Sequence, residues 1–285
     1  MAVSNTLAVR PITTAVGAVV EGVDLRAPLT GEQTEFVRRA LLDHGVIFLR
    51  DQEIDLPQFW AFMRNFGLPM KEESTGTDHD QPLDVQTADM SPSRHATAVW
   101  HADTTSLAQP PLATALRAVS PPAWGGDTCW SSMYAAWEAL SGPMQRLLDG
   151  LTAVHTIQLT FDRMGEYAPR FEASYLPRHA REQIHPVVLT HPETGRKGLY
   201  INESFTSKIV ELSDTESAAV LAMLFRHIER PQFTMRWHWR ANDIAFWDNR
   251  CVQHYAVPDY TTSRVMQRIV LAGVRPGEQS ALVPG

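Results

Sequence analysis

The chain has few cysteines, no excess of basic residues and no long apolar run, and each shortage excludes a class of protein. Only Cys129 and Cys251 are available among 285 residues, which is too few for a disulfide framework or a cysteine-rich zinc site. The net charge of −7 argues against a nucleic-acid partner, because phosphate recognition needs clustered lysine and arginine. No apolar run reaches the roughly 18 residues that a membrane span requires.

The composition that is present favours one soluble domain with a small-molecule partner. Because 44% of the residues are hydrophobic, the chain can bury a sizeable core, and we expect a single domain over residues 1–285. The N-terminus lacks the basic and then apolar layout of a signal peptide, so we expect a cytoplasmic protein. We also allow for a homodimer or a homotetramer.

Short strand-like segments lie at both ends of the chain, with helices inserted between them. Apolar spacing predicts helices at 31–45, 56–66, 133–148 and 213–229, and strands at 46–49, 113–118, 128–132, 233–239, 243–247 and 265–274. Strands and helices do not alternate as a doubly wound α/β fold requires. The pattern therefore predicts a mainly β fold with inserted helices, a β-barrel or jelly roll.

Two polar segments and one turn separate these elements. Residues 68–98 and 158–184 show little periodicity, and loops of this length often act as lids over a site. Pro192-Glu-Thr-Gly195 lies between two apolar segments and predicts a hairpin.

Three His-x-Asp/Glu triplets offer the start of an open iron site, which needs two imidazoles and one carboxylate. The triplets are His101-Ala-Asp103, His191-Pro-Glu193 and His227-Ile-Glu229. A strand points residues i and i+2 to one side, whereas a helix turns them apart, so the third triplet, on a predicted helix, is unsuitable. The second is predicted to form a solvated hairpin tip.

His101 and Asp103 remain as candidate ligands because they follow an apolar pair and look like a strand edge. The alternative for His101 is a core histidine whose hydrogen bonds are satisfied within the protein. His254, which follows the predicted strand at 243–247, is a candidate third ligand. The alternative for His254 is a structural histidine packed under Trp247 and Tyr255.

Five ordered motifs carry a resemblance to a known family. They are Trp100-His-Ala-Asp-Thr104, Gly125-Gly-Asp-Thr128, Trp247-Asp-Asn-Arg250, Gln253-His-Tyr255 and Arg264-x-x-x-Arg268. In this order they resemble the taurine dioxygenase/TfdA family of Fe(II)- and 2-oxoglutarate-dependent dioxygenases. The likeness covers nearly the whole chain and implies a double-stranded β-helix core of the jelly-roll, cupin-like type.

The resemblance also implies a cofactor, co-substrates and residue roles. His101, Asp103 and His254 match the family's metal ligands for Fe(II), with 2-oxoglutarate and O₂ as co-substrates. Thr128 and Arg264 match the groups that hold the distal carboxylate of 2-oxoglutarate, for which a guanidinium fork is well suited. Arg268 matches an arginine that reaches the anionic group of the substrate, and on a strand it would share a face with Arg264.

The substrate expected from the resemblance is a small anion that is hydroxylated at a carbon next to a heteroatom. Taurine-specific members carry a histidine shortly after the Phe-Gly pair, but here Phe66-Gly67 continues without one. Met70 and Phe205, together with Phe161, are candidates for an apolar pocket. A sulfonate, an alkyl sulfate and an aryloxyalkanoate remain open as substrates.

Two other functions are compatible with the same residues. One is a zinc hydrolase that uses the same three ligands, although the chain lacks the usual hydrolase base motifs. The other is a non-catalytic jelly-roll protein that binds a small molecule. A binding protein would have no need of the co-substrate clamp formed by Thr128 and Arg264.

Overall fold

The computed structural model describes residues 6–70, 85–88, 98–165, 182–262, 264–278 and 281–282. Its strands are β1 (Ala8–Pro11), β2 (Ala18–Glu21), β3 (Val46–Leu49), β4 (Val85–Ala88), β5 (Ala113–Ser120), β6 (Thr128–Ser132), β7 (Thr152–His155), β8 (Gln183–Pro186), β9 (Val188–Thr190), β10 (Lys197–Leu199), β11 (Thr206–Ile209), β12 (Thr234–Trp237), β13 (Ile244–Asp248), β14 (Val252–Ala256) and β15 (Arg264–Leu271). Its helices are α1 (Gly31–His44), α2 (Leu56–Arg64), α3 (Met133–Glu138), α4 (Gly142–Leu148), α5 (Gln158–Met164) and α6 (Asp214–Ile228).

The strands form one large sheet and three small ones. The large sheet has the order β1-β2-β3-β13-β5-β15-β4, and one small sheet has the order β12-β6-β14. The other two are β11-β7-β8 and the hairpin β9-β10. Neighbouring strands are antiparallel except for β2 and β3. Because β13 joins the large sheet and β14, the next strand, joins a small one, the chain crosses between two sheets at residues 249–251.

Both faces of the large sheet are covered, which explains why β3 and the first four residues of β13 are apolar. On β13, Ile244 and Phe246 pack towards helices α1 and α2, whereas Ala245 and Trp247 pack towards the small sheet that contains Trp130. Successive side chains of a strand point to opposite faces, so two cores form on the two sides of one sheet. The expected β-rich fold with inserted helices is confirmed.

Helix α1 begins and ends where the sequence predicts. The side chains of Thr30 and Gln33 each bond the other's backbone N–H in a capping box, which satisfies donors at the helix start. The helix ends at Gly45, whose φ of 71° suits glycine, and a Cβ there would lie 2.6 Å from a methyl carbon of Val252. This close approach brings the end of α1 against β14.

The single helix predicted for residues 133–148 is wrong, because the structure divides it into α3 and α4. Ser141 caps α4 by accepting a hydrogen bond from the Met144 N–H, and Pro143 follows in its first turn. Proline cannot continue a helix from the preceding turn but fits the start of a new one. Apolar residues continue at helical spacing across the break, so the spacing alone did not indicate that one helix ends and another begins.

The two predicted lid segments lie largely outside the described residues. Residues 71–84, 89–97 and 166–181 are among those not described. Within residues 68–98, the backbone of β4 pairs antiparallel with β15, so the expectation of a continuous loop there is wrong. Within residues 158–184, α5 and the start of β8 are formed. Whether either segment closes over a site stays a prediction.

The hairpin is formed as predicted, but its turn is not solvated. Strands β9 and β10 are antiparallel, and the turn between them packs on the end of β13. His191 is 1% exposed, and its Nδ1 accepts hydrogen bonds from two backbone N–H groups, so Nε2 donates to Asp248 at 3.1 Å. The expected solvated hairpin tip is therefore wrong, because buried charges on β13 attract the turn.

Glu193 of this turn completes an ion network that reaches helix α1 and Leu282. It accepts hydrogen bonds from Arg250 at 2.8 Å, from the Leu282 N–H at 3.1 Å and from Arg38 of α1. Arg250 also binds Asp248, at 2.6 Å and 2.9 Å. Since the Glu193 and Arg250 side chains are 6% and 8% exposed, their charges are compensated by one another rather than by water.

The third triplet, His227-Ile-Glu229, also has a structural explanation. His227 lies in α6 and its Nε2 donates to the backbone oxygen of Ala136 at 2.8 Å. Among the described residues, no helix is both long and apolar enough to cross a membrane.

Replacing Glu193 by glutamine is expected to lower the free energy of unfolding by on the order of 3 kcal/mol, because it removes one of the two anions that compensate the buried guanidinium of Arg250. Asp149→Asn is the matched control, since Asp149 pairs with Lys197 at a surface where both side chains are 41–50% exposed. That change should stay within about 1 kcal/mol. Urea unfolding at neutral pH measures both variants, and equal effects would contradict the network's importance.

Candidate metal centre and active site

The candidate ligands His101 and His254 are brought together by a short backbone pairing. The N–H of each residue donates to the carbonyl of the other, at 3.0 Å and 2.8 Å, as in an antiparallel bridge. His254 belongs to β14, which pairs on its other side with β6. Directly paired residues point to the same side of a sheet. The two imidazole rings therefore lie close together, with centroids 4.1 Å apart.

Asp103 completes a cluster of three potential metal ligands. One ligand atom each from His101, Asp103 and His254 can be chosen such that all lie within 4.8 Å of one another, and the three residues are 5–9% exposed. The distance from His254 Nε2 to Asp103 Oδ1 is 3.9 Å, too long for a hydrogen bond. Two imidazoles and one carboxylate form the donor set of an open iron site.

The protonation states of the cluster suit a cation. Burial alone would raise the pKa of the Asp103 carboxyl, but Arg268 and the two imidazoles outweigh it and hold the pKa well below its usual range. Burial, together with the neighbouring His101, lowers the pKa of His254 to about 3, and burial also lowers the pKa of His101. At neutral pH the cluster thus presents one anionic and two neutral donors.

Hydrogen bonds around the rings support the same conclusion. His101 Nδ1 donates to the carbonyl of Val99 at 2.8 Å, which leaves the lone pair on Nε2. No hydrogen bond joins the ring of His254 to any of the described residues, and its Nδ1 is buried. A buried imidazole without a partner is costly, so the residues present fit a metal ion that bonds this ring.

Thr128 and Arg264, the predicted clamp, share a neighbour in Trp239. Trp239 Nε1 donates to Thr128 Oγ1 at 3.0 Å, and the guanidinium carbon of Arg264 lies 5.9 Å from the Trp239 ring. Arg264 is 5% exposed, and no carboxylate of the described residues pairs with it; its Nε has no hydrogen-bond partner there. A buried guanidinium that lacks an anion can bind the carboxylate of a small molecule.

A glycine pair shapes the backbone next to this clamp. Gly125 has a φ of 70°, and a Cβ on it would lie 2.5 Å from the Asp259 carbonyl oxygen. Gly126 N–H donates to the Asp259 side chain at 2.8 Å. This close approach positions Tyr260, whose ring lies 5.8 Å from the guanidinium carbon of Arg264. The motif Gly125-Gly-Asp-Thr128 thus connects a turn to the clamp.

Arg268 lies beside the cluster of candidate metal ligands and contacts one of them. Its Nη2 donates to Asp103 Oδ1 at 3.0 Å, and its side chain is 21% exposed. Arg264 and Arg268 stand four residues apart on β15, so they share a face and their Cα atoms are separated by roughly 13 Å. Because both arginines lie in one strand, the prediction that they share a face is confirmed.

Met70 and Phe205, which were predicted to line a pocket, lie in different parts of the fold. Met70 is half-buried beside β15, where its N–H donates to the Val270 carbonyl at 2.7 Å. Phe205 is buried in a small apolar cluster with Ile157 and Phe161. Phe205 is also linked towards the metal cluster, because its N–H donates to Asn202, which in turn donates to Thr105.

Sequence reasoning missed the polar side chains that surround the cluster. Thr105 Oγ1 receives a hydrogen bond from Asn202 at 2.9 Å and lies 2.9 Å from Nδ1 of the fully buried His155. Thr114 and Asn249 contact Asp103 directly. Asn249 stood within a quoted motif but had no assigned role. The only signal for Thr114 was a hydroxyl between the alanines at 113 and 115 of a predicted strand.

Comparison with known proteins gives one family over most of the chain. The model of the family "Taurine catabolism dioxygenase TauD, TfdA family" matches residues 8–270. An alpha-ketoglutarate-dependent sulfate ester dioxygenase of Pseudomonas putida is 35% identical over 95% of this chain and 91% of its own length. An alkylsulfatase of Acinetobacter baylyi is 34% identical over 94% of this chain and 85% of its own length.

A solved structure extends the likeness to the whole fold. The crystal structure of AAD-2 in complex with Mn(II) and N-oxalylglycine superimposes with a TM-score of 0.80 and 26% identity. The match covers 96% of this chain and 100% of that chain. The β-rich fold described above is therefore the jelly roll that the family resemblance implied.

The buried His155 is expected to make the protein less stable in acid. Burial and, to a lesser extent, His185 lower the pKa of His155 to about 3, against about 6.5 in an unfolded chain. Between these values the unfolded state binds the extra proton, so this stability is complete above about pH 6.5 and is lost as the pH falls towards 3. The slope is about 1.4 kcal/mol per pH unit.

Unfolding of the wild-type protein and of His155→Gln at several pH values between 4 and 7 measures this difference. The variant should lose free energy of unfolding less steeply as the pH falls, because glutamine does not titrate. Parallel curves for the two proteins would show that His155 is not the group responsible.

Proposed function

Because the chain belongs to the taurine catabolism dioxygenase TauD, TfdA family, we propose that it binds Fe(II) through His101, Asp103 and His254 and oxidises an alkyl sulfate ester. The chain is a 2-oxoglutarate-dependent dioxygenase. The observation that carries the proposal is the buried cluster of two neutral imidazoles and one carboxylate, with an arginine at its edge. Bound iron supplies the oxidising power, since it activates O₂ with electrons from 2-oxoglutarate, which leaves as succinate and CO₂.

Thr128 and Arg264 hold the carboxylate of 2-oxoglutarate that is distant from the metal. The guanidinium of Arg264 is buried and pairs with no carboxylate of the described residues, so an incoming carboxylate compensates its charge. The Thr128 hydroxyl accepts from Trp239 and directs its own proton elsewhere, which makes it a donor to the same group. This contact orients the co-substrate along β15 towards the metal cluster.

Arg268 recognises the anionic group of the substrate. In the structure it neutralises Asp103, and a metal ion held by that carboxylate would take over this role. The guanidinium then faces an anion beside the metal, while the Phe205 cluster provides an apolar wall for an alkyl chain.

An alkyl sulfate suits the chemistry of such a site. Hydroxylation of the carbon that bears the sulfate oxygen gives a product that collapses to an aldehyde and releases sulfate. Succinate and CO₂ account for the remaining atoms of 2-oxoglutarate and O₂. The two relatives described above are named for sulfate esters and alkyl sulfate, and the chain lacks the histidine expected of taurine-specific proteins after Gly67.

Purified protein supplied with Fe(II), 2-oxoglutarate and a linear alkyl sulfate in air is expected to form succinate, aldehyde and sulfate in equal amounts. His101→Ala is expected to abolish all three products, because it removes a metal ligand. A taurine sample and an aryloxyacetate sample are run beside the sulfate ester to test the other substrate classes.

The outcomes separate the parts of the proposal. Succinate formed only with taurine or with the aryloxyacetate would overturn the sulfate ester as substrate but not the oxygenase. Sulfate released without 2-oxoglutarate or O₂ would indicate a hydrolase. A protein that does not bind 2-oxoglutarate in the presence of metal would contradict the proposal as a whole.

Replacing Arg264 or Arg268 by lysine is expected to show that the two arginines bind different molecules. Lysine keeps the charge but loses the bidentate fork, and a charge-assisted hydrogen bond contributes about 1.5–3 kcal/mol. Arg264→Lys should therefore raise the KM for 2-oxoglutarate by roughly 10-fold or more. Arg268→Lys should raise the KM for the sulfate ester instead. Equal effects of both variants on both constants would contradict the assignment.

A further inference from the structure

The two oxygens of the Asp103 carboxylate have different surroundings. Oδ2 accepts a hydrogen bond from the hydroxyl of Thr114 at 2.6 Å. Oδ1 faces His254 Nε2 at 3.9 Å and accepts from Arg268 at 3.0 Å. Oδ1 is therefore the oxygen that faces His254, whereas Oδ2 is engaged by Thr114, which is 0% exposed.

The amide of Asn249 controls the direction of the Thr114 hydroxyl. Its Oδ1 accepts from Trp247 Nε1 at 3.0 Å and from the backbone N–H of Asp103 at 3.3 Å. Both partners are donors only, so the amide oxygen must face them and Nδ2 must face Thr114, at 3.0 Å. Since Nδ2 donates to Thr114 Oγ1, the single hydroxyl proton is directed to Asp103.

The sheet holds this relay in place. Thr114 on β5 pairs directly with Trp247 on β13, and Asn249 follows that strand, with its N–H donating to the Leu112 carbonyl at 3.1 Å. Thr114, Trp247 and Asn249 are 0%, 2% and 3% exposed. Water therefore does not compete for these hydrogen bonds, and the carboxylate has one orientation.

We propose that Thr114 and Asn249 are positioning residues that make Oδ1 of Asp103 the metal-binding oxygen and keep Oδ2 away from the ion. The inference rests on the metal site of the proposed function. A carboxylate can bind a metal through one oxygen or through both, and the second mode takes an extra coordination position. Restraint of Oδ2 leaves that position available to 2-oxoglutarate.

The effect is measured by metal binding without turnover. Residues that orient a ligand typically contribute 10- to 100-fold to metal affinity. Thr114→Val keeps the shape of the side chain and removes the hydroxyl, so its affinity for Mn(II) is expected to fall by roughly 10- to 100-fold. Thr114→Ser keeps the hydroxyl and should restore most of the affinity.

A matched control uses another buried threonine hydroxyl. Thr206 is 2% exposed and its Oγ1 accepts from the Asn202 N–H at 2.9 Å, away from Asp103. Thr206→Val is expected to change the melting temperature of the apo protein but not its affinity for Mn(II). If valine at position 114 prevents folding, Thr114→Ala provides the same test, since it also lacks the hydroxyl.

A second titration tests whether the metal keeps a coordination position free for 2-oxoglutarate. The affinity of the Mn(II)-loaded protein for 2-oxoglutarate should also fall in Thr114→Val, because a carboxylate that binds through both oxygens blocks a co-substrate position. Unchanged affinities for both Mn(II) and 2-oxoglutarate in this variant would overturn the positioning role. A wild-type protein that fails to bind Mn(II) would instead contradict the proposed function itself.

Discussion

The buried negative charge of Asp103 is the constraint on which the site depends. A carboxylate that is 5% exposed is stable only when cations or hydrogen-bond donors surround it. Arg268 and the Thr114 hydroxyl provide these donors, while burial keeps the two imidazoles neutral. The two neutral imidazoles place further donors beside this carboxylate, and the three residues together favour a divalent cation.

The segment Trp247-Asp-Asn-Arg250 divides its side chains between two buried networks. Trp247 and Asn249 face Asp103 and fix its orientation, whereas Asp248 and Arg250 face the hairpin turn with His191 and Glu193. Trp247 and Asp248 lie on opposite faces of β13, and the turn that follows places Asn249 beside Trp247 and Arg250 beside Asp248. The same four residues thus connect the metal cluster to helix α1 and to Leu282, so that disturbance of either network reaches the other through one short crossing between sheets.

Much of the fold was predictable because apolar spacing and capping residues are local signals. The bounds of α1, β3 and β6 follow from caps, from Gly45 and from short apolar runs. The break before α4 was missed because its apolar spacing continues through Ser141 and Pro143. The strands β7, β11 and β14 have no clear period, and pairing with distant strands rather than local preference stabilises them.

The site was predictable only where chemistry needs a rare residue type. Histidine and aspartate at fixed spacing stand out, so the spacing indicated His101 and Asp103, whereas the family resemblance indicated Arg264. Threonine is common in strands, and nothing local distinguishes Thr114 from any other strand threonine. The importance of Thr114 arises from the pairing of β5 with β13, which places it beside Trp247 and within hydrogen-bonding distance of Asp103. Buried charges behave in the same way, since Glu193 resembles a solvated turn residue until Arg250 and Arg38 are brought to it.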